Sequence, residues 1–435
     1  MQRIKHTDPD FEKRLQKLIL GLHSIPPDLM SAAEKIFMEV VKKGDAALFK
    51  HIRKLDGAKL DKKTIEVSKS EIDRAVNSIP NQDAKVLRLA AGRVRAFHKR
   101  QVVKGFRFND GKGAALEERV IPLARVGIYI PAGRAPLAST VLMCAIPARL
   151  AGVGEIVMTT PSRDGTVNPH VLTAAREAGV DRIYKAGGVH AVAALASGET
   201  CIPRADKIVG PGNAWVAAAK MIAFSRGLCG IDSIAGPSEV AIIADQSADP
   251  EFAAWDLLSQ AEHGPGSSAI AITHSKQFFN RLDRALDQAI KEFQKQNQLS
   301  AKETARLGQR ISLVLVKNPD QAAELSNRIA PEHLELMVRE PKKILAKIKN
   351  AASVFLGPFS PVPIGDYLAG ANHVLPTGGT AAWSSPLGVY DFVKRQSVTG
   401  LSARSLDLIG PAAARFAELE GLSAHAASIQ KRLSR

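Results

Sequence analysis

The chain has 435 residues, 45% of them hydrophobic, 23% charged and 5% aromatic, a composition that excludes disordered, collagen-like and disulfide-rich proteins. That length corresponds to about three average domains, or two large ones with appendages. Lysine and arginine number 59 against 43 aspartates and glutamates, a formal net charge of +16, which raises a polyanionic partner as one reading to be weighed.

From the amino terminus, Met1–Arg14 alternates charged residues without an apolar stretch, so no secretory signal is expected. Up to about Asp110 the pattern is helical and highly charged, with Pro26 and Pro27 breaking an opening helix and Gly44 and Gly57 marking turns. Within it, Lys85, Arg88, Arg93, Arg95, Lys99, Arg100, Lys104 and Arg107 form a stretch with no acidic residue, and these eight charges are half the surplus. On a helical projection Lys85, Arg88, Arg95 and Lys99 share one side, with Arg93 near the boundary. Val86, Leu87, Ala90, Val94 and Phe97 share the other. An amphipathic surface helix accounts for this, with a field that attracts an anionic substrate or cofactor as a second reading. Solvent-facing aromatics and nucleic-acid-binding motifs are missing, so no nucleic-acid partner is expected.

From Ala124 short β-branched runs alternate with alanine-rich helical stretches: Val126–Ile130, a helix around Thr140–Leu150, Glu155–Thr159, a helix at Pro169–Ala178, Arg182–Lys185, Val189–Ala196, Lys207–Val209, Ala214–Phe224 and Glu239–Ile243. A second series follows, with a helix at Pro250–Ala261, a strand near Ala269–Thr273, a long helix at Lys276–Lys295, a strand at Ile311–Val316, a helix at Gln321–Ile329 and a strand at Leu334–Val338. Such alternation predicts β-α units and parallel sheets, because parallel strands need crossover helices. Beyond Ser384 there is little strand character; Ala412–Leu419 reads as a helix stopped by Gly421, and Ser423 as the N-cap of another ending at Leu433. The apolar run Ala135–Ala148 is too short for a bilayer and contains Pro136 and Pro147, so no membrane span is expected. Cys144, Cys201 and Cys229 are widely spaced and suggest neither a disulfide framework nor a metal knuckle, which fits a reducing cytoplasm.

No G-x-G-x-x-G fingerprint occurs. Two strand-to-helix turns, Pro131-Ala132-Gly133 and Gly210-Pro211-Gly212-Asn213, could let a ligand approach the backbone. Asn213 either caps its helix or offers an amide to a ligand, and Gly187-Gly188 repeats the theme. Gln260 and His263 lie three apart at the end of a helix stopped by Gly264-Pro265. His333 follows Glu332, Asp366 and His373 share a loop, Gly365–Pro376, rich in Gly and Pro, and His425 follows Glu420 in the tail. An imidazole can take a hydroxyl proton and a carboxylate beside it can activate water. Imidazoles with a carboxylate and an amide oxygen suit zinc. On residues alone these leave open an α/β enzyme with or without a metal.

The segments RVGIYIPAGRAPLASTVLM, KIVGPGNAWVAAAK, GIDSIAGPSEVAIIAD, SQAEHGPG, APEHLELM, FLGPFSP, GDYLAGANHVLPTGGTAAWSSPLGVYDFVKR and EGLSAH, in order from Arg125 to His425, resemble the histidinol dehydrogenase family. The resemblance implies a zinc-dependent oxidation of L-histidinol through L-histidinaldehyde to L-histidine, using two NAD. By it the zinc ligands fall on Gln260, His263, Asp366 and His425, and the catalytic pair on Glu332 and His333. NAD contacts fall on Tyr129, His190 and Asn213. Substrate contacts fall on Ser238, Gln260, His263, His333, Asp366, Glu420 and His425, with His373 nearby.

It also implies a cytoplasmic homodimer whose tails complete each other's sites, and an α/β fold of two incomplete Rossmann-like parallel-sheet domains with N-terminal helices and a helical C-terminal tail. The expected division is an N-terminal helical segment, 1–25; a first domain, 26–128 with 240–380, carrying the Glu-His pair and most zinc ligands; an NAD-contacting domain, 129–239; and a dimerisation tail, 381–435. Two positions depart from the family pattern: His190 stands where Gln is usual, and Gly264 where Asp is common. A paralogous dehydrogenase that oxidises another polar alcohol, such as a sulfonated propanediol, to the acid is the alternative.

Overall fold

Strands that read as unbroken apolar runs are buried on both faces, as parallel sheets require. In chain order the strands are β1 (Gln2–Lys5), β2 (Phe106–Asn109), β3 (Ala114–Pro122), β4 (Arg125–Tyr129), β5 (Glu155–Thr160), β6 (Arg182–Lys185) and β7 (Lys207–Val209). They continue with β8 (Gly230–Ile231), β9 (Glu239–Ala244), β10 (Ser268–Thr273), β11 (Ile311–Leu315), β12 (His333–Met337), β13 (Ser353–Leu356) and β14 (Val393–Leu401). This computed structural model describes residues 1–20, 27–132, 136–234, 236, 238–264 and 266–434. Pro26, Gly133 and Pro265, assigned above to breaks and turns, lie outside the described residues.

The α/β class and its layout hold. One parallel sheet has the order β6-β5-β4-β7-β8 and the other β1-β11-β10-β9-β12-β13. Every residue of β9, β10, β11 and β12 is buried. Alanine-rich helices Gly188–Ser197 and Ala214–Ser225 belong to the core around β4 to β7, their small side chains allowing close approach. The helix Lys276–Asn297 instead buries one stripe, Phe278, Phe279, Leu282, Leu286 and Ala289, against the other sheet and leaves its charged side in water.

Backbone contacts divide the chain into two units, 1–101 with 124–392 and 102–123 with 393–435. The second unit holds the antiparallel sheet β14-β3-β2 and the helices Ala403–Leu419 and Ser423–Leu433. Among the described residues no helix is long and apolar enough to cross a membrane, and Cys144, Cys201 and Cys229 are all free thiols.

Several local expectations are corrected. Residues 2–5, read as part of a helical region, form an edge strand parallel to β11, with Ile4 alone fully buried. β2 lies inside the segment expected to be helical, and β14 contradicts the lack of strand character after Ser384. Every residue of β2 is exposed, and so is every residue of β14 but its first. Neither therefore shows the period-two apolar alternation that a half-buried strand displays. The first tail helix starts at Ala403, capped by the Ser402 hydroxyl, and runs through Pro411; the second has Leu422, not Ser423, at its N-cap. In the helix Asn81–His98 the buried line is Ala90, Ala91, Val94 and His98, while Val86 and Phe97 face outward. All eight basic side chains from Lys85 to Arg107 are exposed.

Candidate active site

The cofactor candidates gather at the carboxyl edge of the five-stranded sheet. Tyr129 ends β4, Gly187-Gly188 follows β6 and Gly210 follows β7. β4 lies between β5 and β7, so the chain diverges to either side there, the place where open α/β sheets bind ligands. Tyr129, His190 and Asn213 line one cavity of about 590 Å³ with Asp56, Gly188 and Trp215. The Tyr129 hydroxyl accepts the Gly188 N–H at 3.0 Å, and burial pushes its pKa up to about 12. The Asn213 side-chain oxygen accepts the Trp215 and Val216 N–H groups at 3.1 and 3.2 Å. It therefore caps the helix, and neither bond uses its NH2 group.

His190, at the position of the family's usual Gln, is fully buried. Its Nε2 lies 3.1 Å from an Asp56 oxygen that also accepts the Gly187 N–H at 2.9 Å. Its Nδ1 has no partner among the described residues, and its ring stacks on His51 at 6.1 Å. Asp56 is a supporting residue that no motif in the sequence signals.

The turn after β7 is clamped from behind. Gly210 has φ 113°, and a Cβ there would lie 2.3 Å from the Tyr129 carbonyl oxygen, so only glycine fits. Lys220 donates to the Gly210 carbonyl at 3.1 Å and pairs with Asp232, which accepts the Gly210 N–H at 2.8 Å. Both charged side chains are almost wholly buried. Lys220→Met leaves Asp232 buried without its cation and is expected to cost about 3–5 kcal/mol. Urea unfolding checks this, and an unchanged midpoint would refute it.

The catalytic candidates sit at the opposite, amino edge of the six-stranded sheet. Glu332 immediately precedes β12, His333 opens it, and Ser238 immediately precedes β9. The helix Pro250–Ala261 follows β9 and packs back along the sheet, so its last turn brings Gln260 toward that edge. Asp366 lies in the turn Gly365–Ala369, where a Cβ on Gly365 would strike the Phe355 ring at 2.5 Å.

His333 and Glu332 are each about 5% exposed. The His333 Nδ1–H donates to the Glu239 carbonyl at 3.2 Å, which fixes the tautomer and leaves Nε2 as the basic nitrogen. Among the described residues Nε2 has no hydrogen-bond partner; an Asp366 oxygen lies 3.7 Å away, close enough for charge attraction. Burial opposes a charge on His333, but the Glu332 and Asp366 carboxylates outweigh it and lift the imidazole to about 9. Burial also raises Glu332, against the pull of His333, 3.7 Å from its carboxylate. Asp366 is pushed up by burial yet held below its ordinary value by His333, with His373 and His263 adding to the effect.

Gln260 is buried, and its NH2 has no partner among the described residues. His263 is exposed and uses Nδ1 on the Ser259 carbonyl at 3.0 Å, a bond that leaves Nε2 available. Among the described residues no three His, Cys, Asp or Glu side chains converge as a ready-made metal cluster. The donor types nonetheless fit a borderline cation: the Gln260 amide oxygen, an imidazole nitrogen and a carboxylate drawn toward imidazoles. His425 and Glu420 are exposed residues of the second unit.

His373 is fully engaged. Its Nδ1–H donates to the Asp366 carbonyl at 2.8 Å and its Nε2 accepts the Thr140 hydroxyl at 3.2 Å; burial lowers its pKa. It thereby ties the Asp366 turn to the helix Ala138–Ala151. Asn372 adds a second tie, donating to the Met143 carbonyl at 2.8 Å.

Glu239, which sequence reasoning missed, packs behind Glu332. Its signal is a lone acid opening the apolar run of β9. The larger cavity in the same unit, about 890 Å³ beside Gln2, Phe293 and Arg306, is lined by none of the expected site residues.

A family model described as histidinol dehydrogenase matches residues 24–433. The histidinol dehydrogenase of Brucella suis is 43% identical over 433 residues, covering 99% of each chain. That of Geobacter metallireducens is 45% identical over 427 residues, covering 98% of this chain and 97% of its own. The crystal structure of histidinol dehydrogenase from Elizabethkingia anophelis superposes with a TM-score of 0.90 at 36% identity, covering 100% of this chain and 98% of that one.

Proposed function

Because the chain belongs to the histidinol dehydrogenase family, an oxidoreductase family, we propose that it oxidises L-histidinol through L-histidinaldehyde to L-histidine with two NAD and a zinc ion, closing histidine biosynthesis. The observation that carries this reading is the buried Glu332–His333 pair, with His333 Nδ1 tied to a backbone carbonyl and Nε2 left without a hydrogen bond. Nε2 takes the proton of the substrate hydroxyl as the carbon-bound hydrogen leaves as hydride. Glu332 then takes a proton from the water whose oxygen bonds the aldehyde carbon, and His333 accepts the hydrate's hydroxyl proton in the second oxidation. NAD, when bound, accepts the hydride of each oxidation.

Tyr129, His190 and Asn213 are the proposed dinucleotide contacts, in the cavity at the five-stranded sheet's carboxyl edge. Gln260, His263 and Asp366, with His425 of the tail, would hold the zinc, which when bound anchors the amine and imidazole nitrogens of the substrate. Ser238 and Glu420 are the proposed remaining substrate contacts. Assembly as a homodimer in which tails complete the sites belongs to the same reading, as does a cytoplasmic location. Zinc-loaded enzyme is expected to form two NADH per L-histidinol. No NADH from histidinol but rapid NADH from a sulfonated propanediol would assign it instead to an alcohol-to-acid paralogue.

A further inference from the structure

Glu239 and Glu332 stand side by side at the start of β9 and just before β12, and each carboxylate reaches the other's backbone. The Glu239 N–H donates to Glu332 Oε2 at 3.0 Å, and the Glu332 N–H donates to Glu239 Oε1 at 3.3 Å. Both side chains are buried, 2% and 5% exposed. Two neighbouring carboxylates buried away from solvent do not both ionise. We propose that Glu239 is a positioning residue for Glu332: the pair shares one proton, and Glu239 carries it so that Glu332 remains the anion that accepts a proton from water.

The surroundings decide which member holds the proton. Burial raises Glu332, but His333, whose Nδ1 lies 3.7 Å from its carboxylate, draws it toward the anion, as does His263, with Asp366 opposing. Among the described residues no cationic side chain acts on the Glu239 head. It has the N–H groups of Glu332 and Gly379, the latter at 3.4 Å, and its Oε2, the atom where a proton would sit, is buried without a partner among those residues. Burial first, and Glu332 second, push the Glu239 carboxyl up to about 8. Glu239 also holds His333 through its carbonyl, so it orders both members of the pair while touching no reacting atom.

This inference rests on the reading of Glu332 as the activator of water, and its test separates the two. In zinc-loaded enzyme supplied with L-histidinaldehyde, the ratio of wild-type to Glu239→Gln kcat, in which the deprotonation of His333 common to both enzymes cancels, should fall about tenfold between pH 7 and pH 9, as the shared proton is lost in the wild type and two anions face each other. Glu239→Gln, a neutral head of the same shape, has no such proton to lose. An identical pH profile in wild type and variant would overturn the proposal.

Infrared titration supplies a measurement that needs no turnover. A protonated-carboxyl C=O band present at pH 7 and lost above pH 8 should be missing in Glu239→Gln, while the band of the separately buried, raised Glu335 carboxyl remains. If the Gln variant does not fold, Glu332→Gln serves: with the neighbouring anion removed, loss of the Glu239 band should move to lower pH. A wild-type spectrum without such a band at pH 7 refutes the shared proton. Absence of activity with histidinol alongside the expected band would instead refute the proposed substrate and leave Glu239 as assigned.

Discussion

Glu332→Gln is expected to slow oxidation of the aldehyde by about 100- to 10,000-fold, the range for losing a general base, while formation of the aldehyde slows by less than about tenfold. The selectivity follows from what the substitution keeps. A glutamine oxygen can still accept the Glu239 N–H that Glu332 now accepts, so the start of β12 stays against β9. The base is gone, and water loses its proton acceptor. The Glu332 carboxylate is also what chiefly raises His333 against burial, so removing it returns the imidazole toward its ordinary value. More of it is then neutral near pH 7, and the alcohol step is spared. Single-turnover NADH traces separate the two steps, and equal slowing of both would remove Glu332 as the activator of water.

The legible part of this fold is the part where burial is symmetrical. β9, β10 and β12 announce themselves because EVAIIA, SAIAIT and HLELM are nearly all apolar, as double-sided burial demands. β1 and β14 escape because one buried residue in four, or none in nine, leaves no periodicity to read; their pairing is set by neighbours distant in sequence. The basic stretch is legible as a solvated face, although Val86 and Phe97, counted as its apolar side, turn out to be exposed.

The site divides in the same way. Types and spacing mark Glu332, His333, Gln260 and His263, and the turn at Gly210 marks the strand edge proposed above for the cofactor. Spacing cannot say that the two clusters occupy opposite strand edges, one at the carboxyl ends of β4 and β7 and the other at the amino ends of β9 and β12. That follows only from strand direction and from the ties of His373 and Asn372 to the helix Ala138–Ala151. Supporting residues are the least legible. Asp56 lies 134 positions from the imidazole it holds, and no local pattern records such a pairing.

His333→Asn is expected to lower both oxidations by about 100- to 10,000-fold, in contrast to the one-step effect of Glu332→Gln. Asparagine places its NH2 near the position of Nδ1, so the donor to the Glu239 carbonyl can be kept. Nothing takes the place of Nε2, the one ring nitrogen without a hydrogen bond, and with it goes the acceptor for the hydroxyl proton of the alcohol and of the hydrated aldehyde. The proposed cofactor cavity is lined by neither His333 nor Glu332, so the affinity for NAD, read by quenching of protein fluorescence, should change by less than about twofold. Loss of activity through a weaker NAD complex would show that His333 acts on cofactor placement and not on the proton. A variant that kept the first oxidation and lost only the second would assign the first proton to another base.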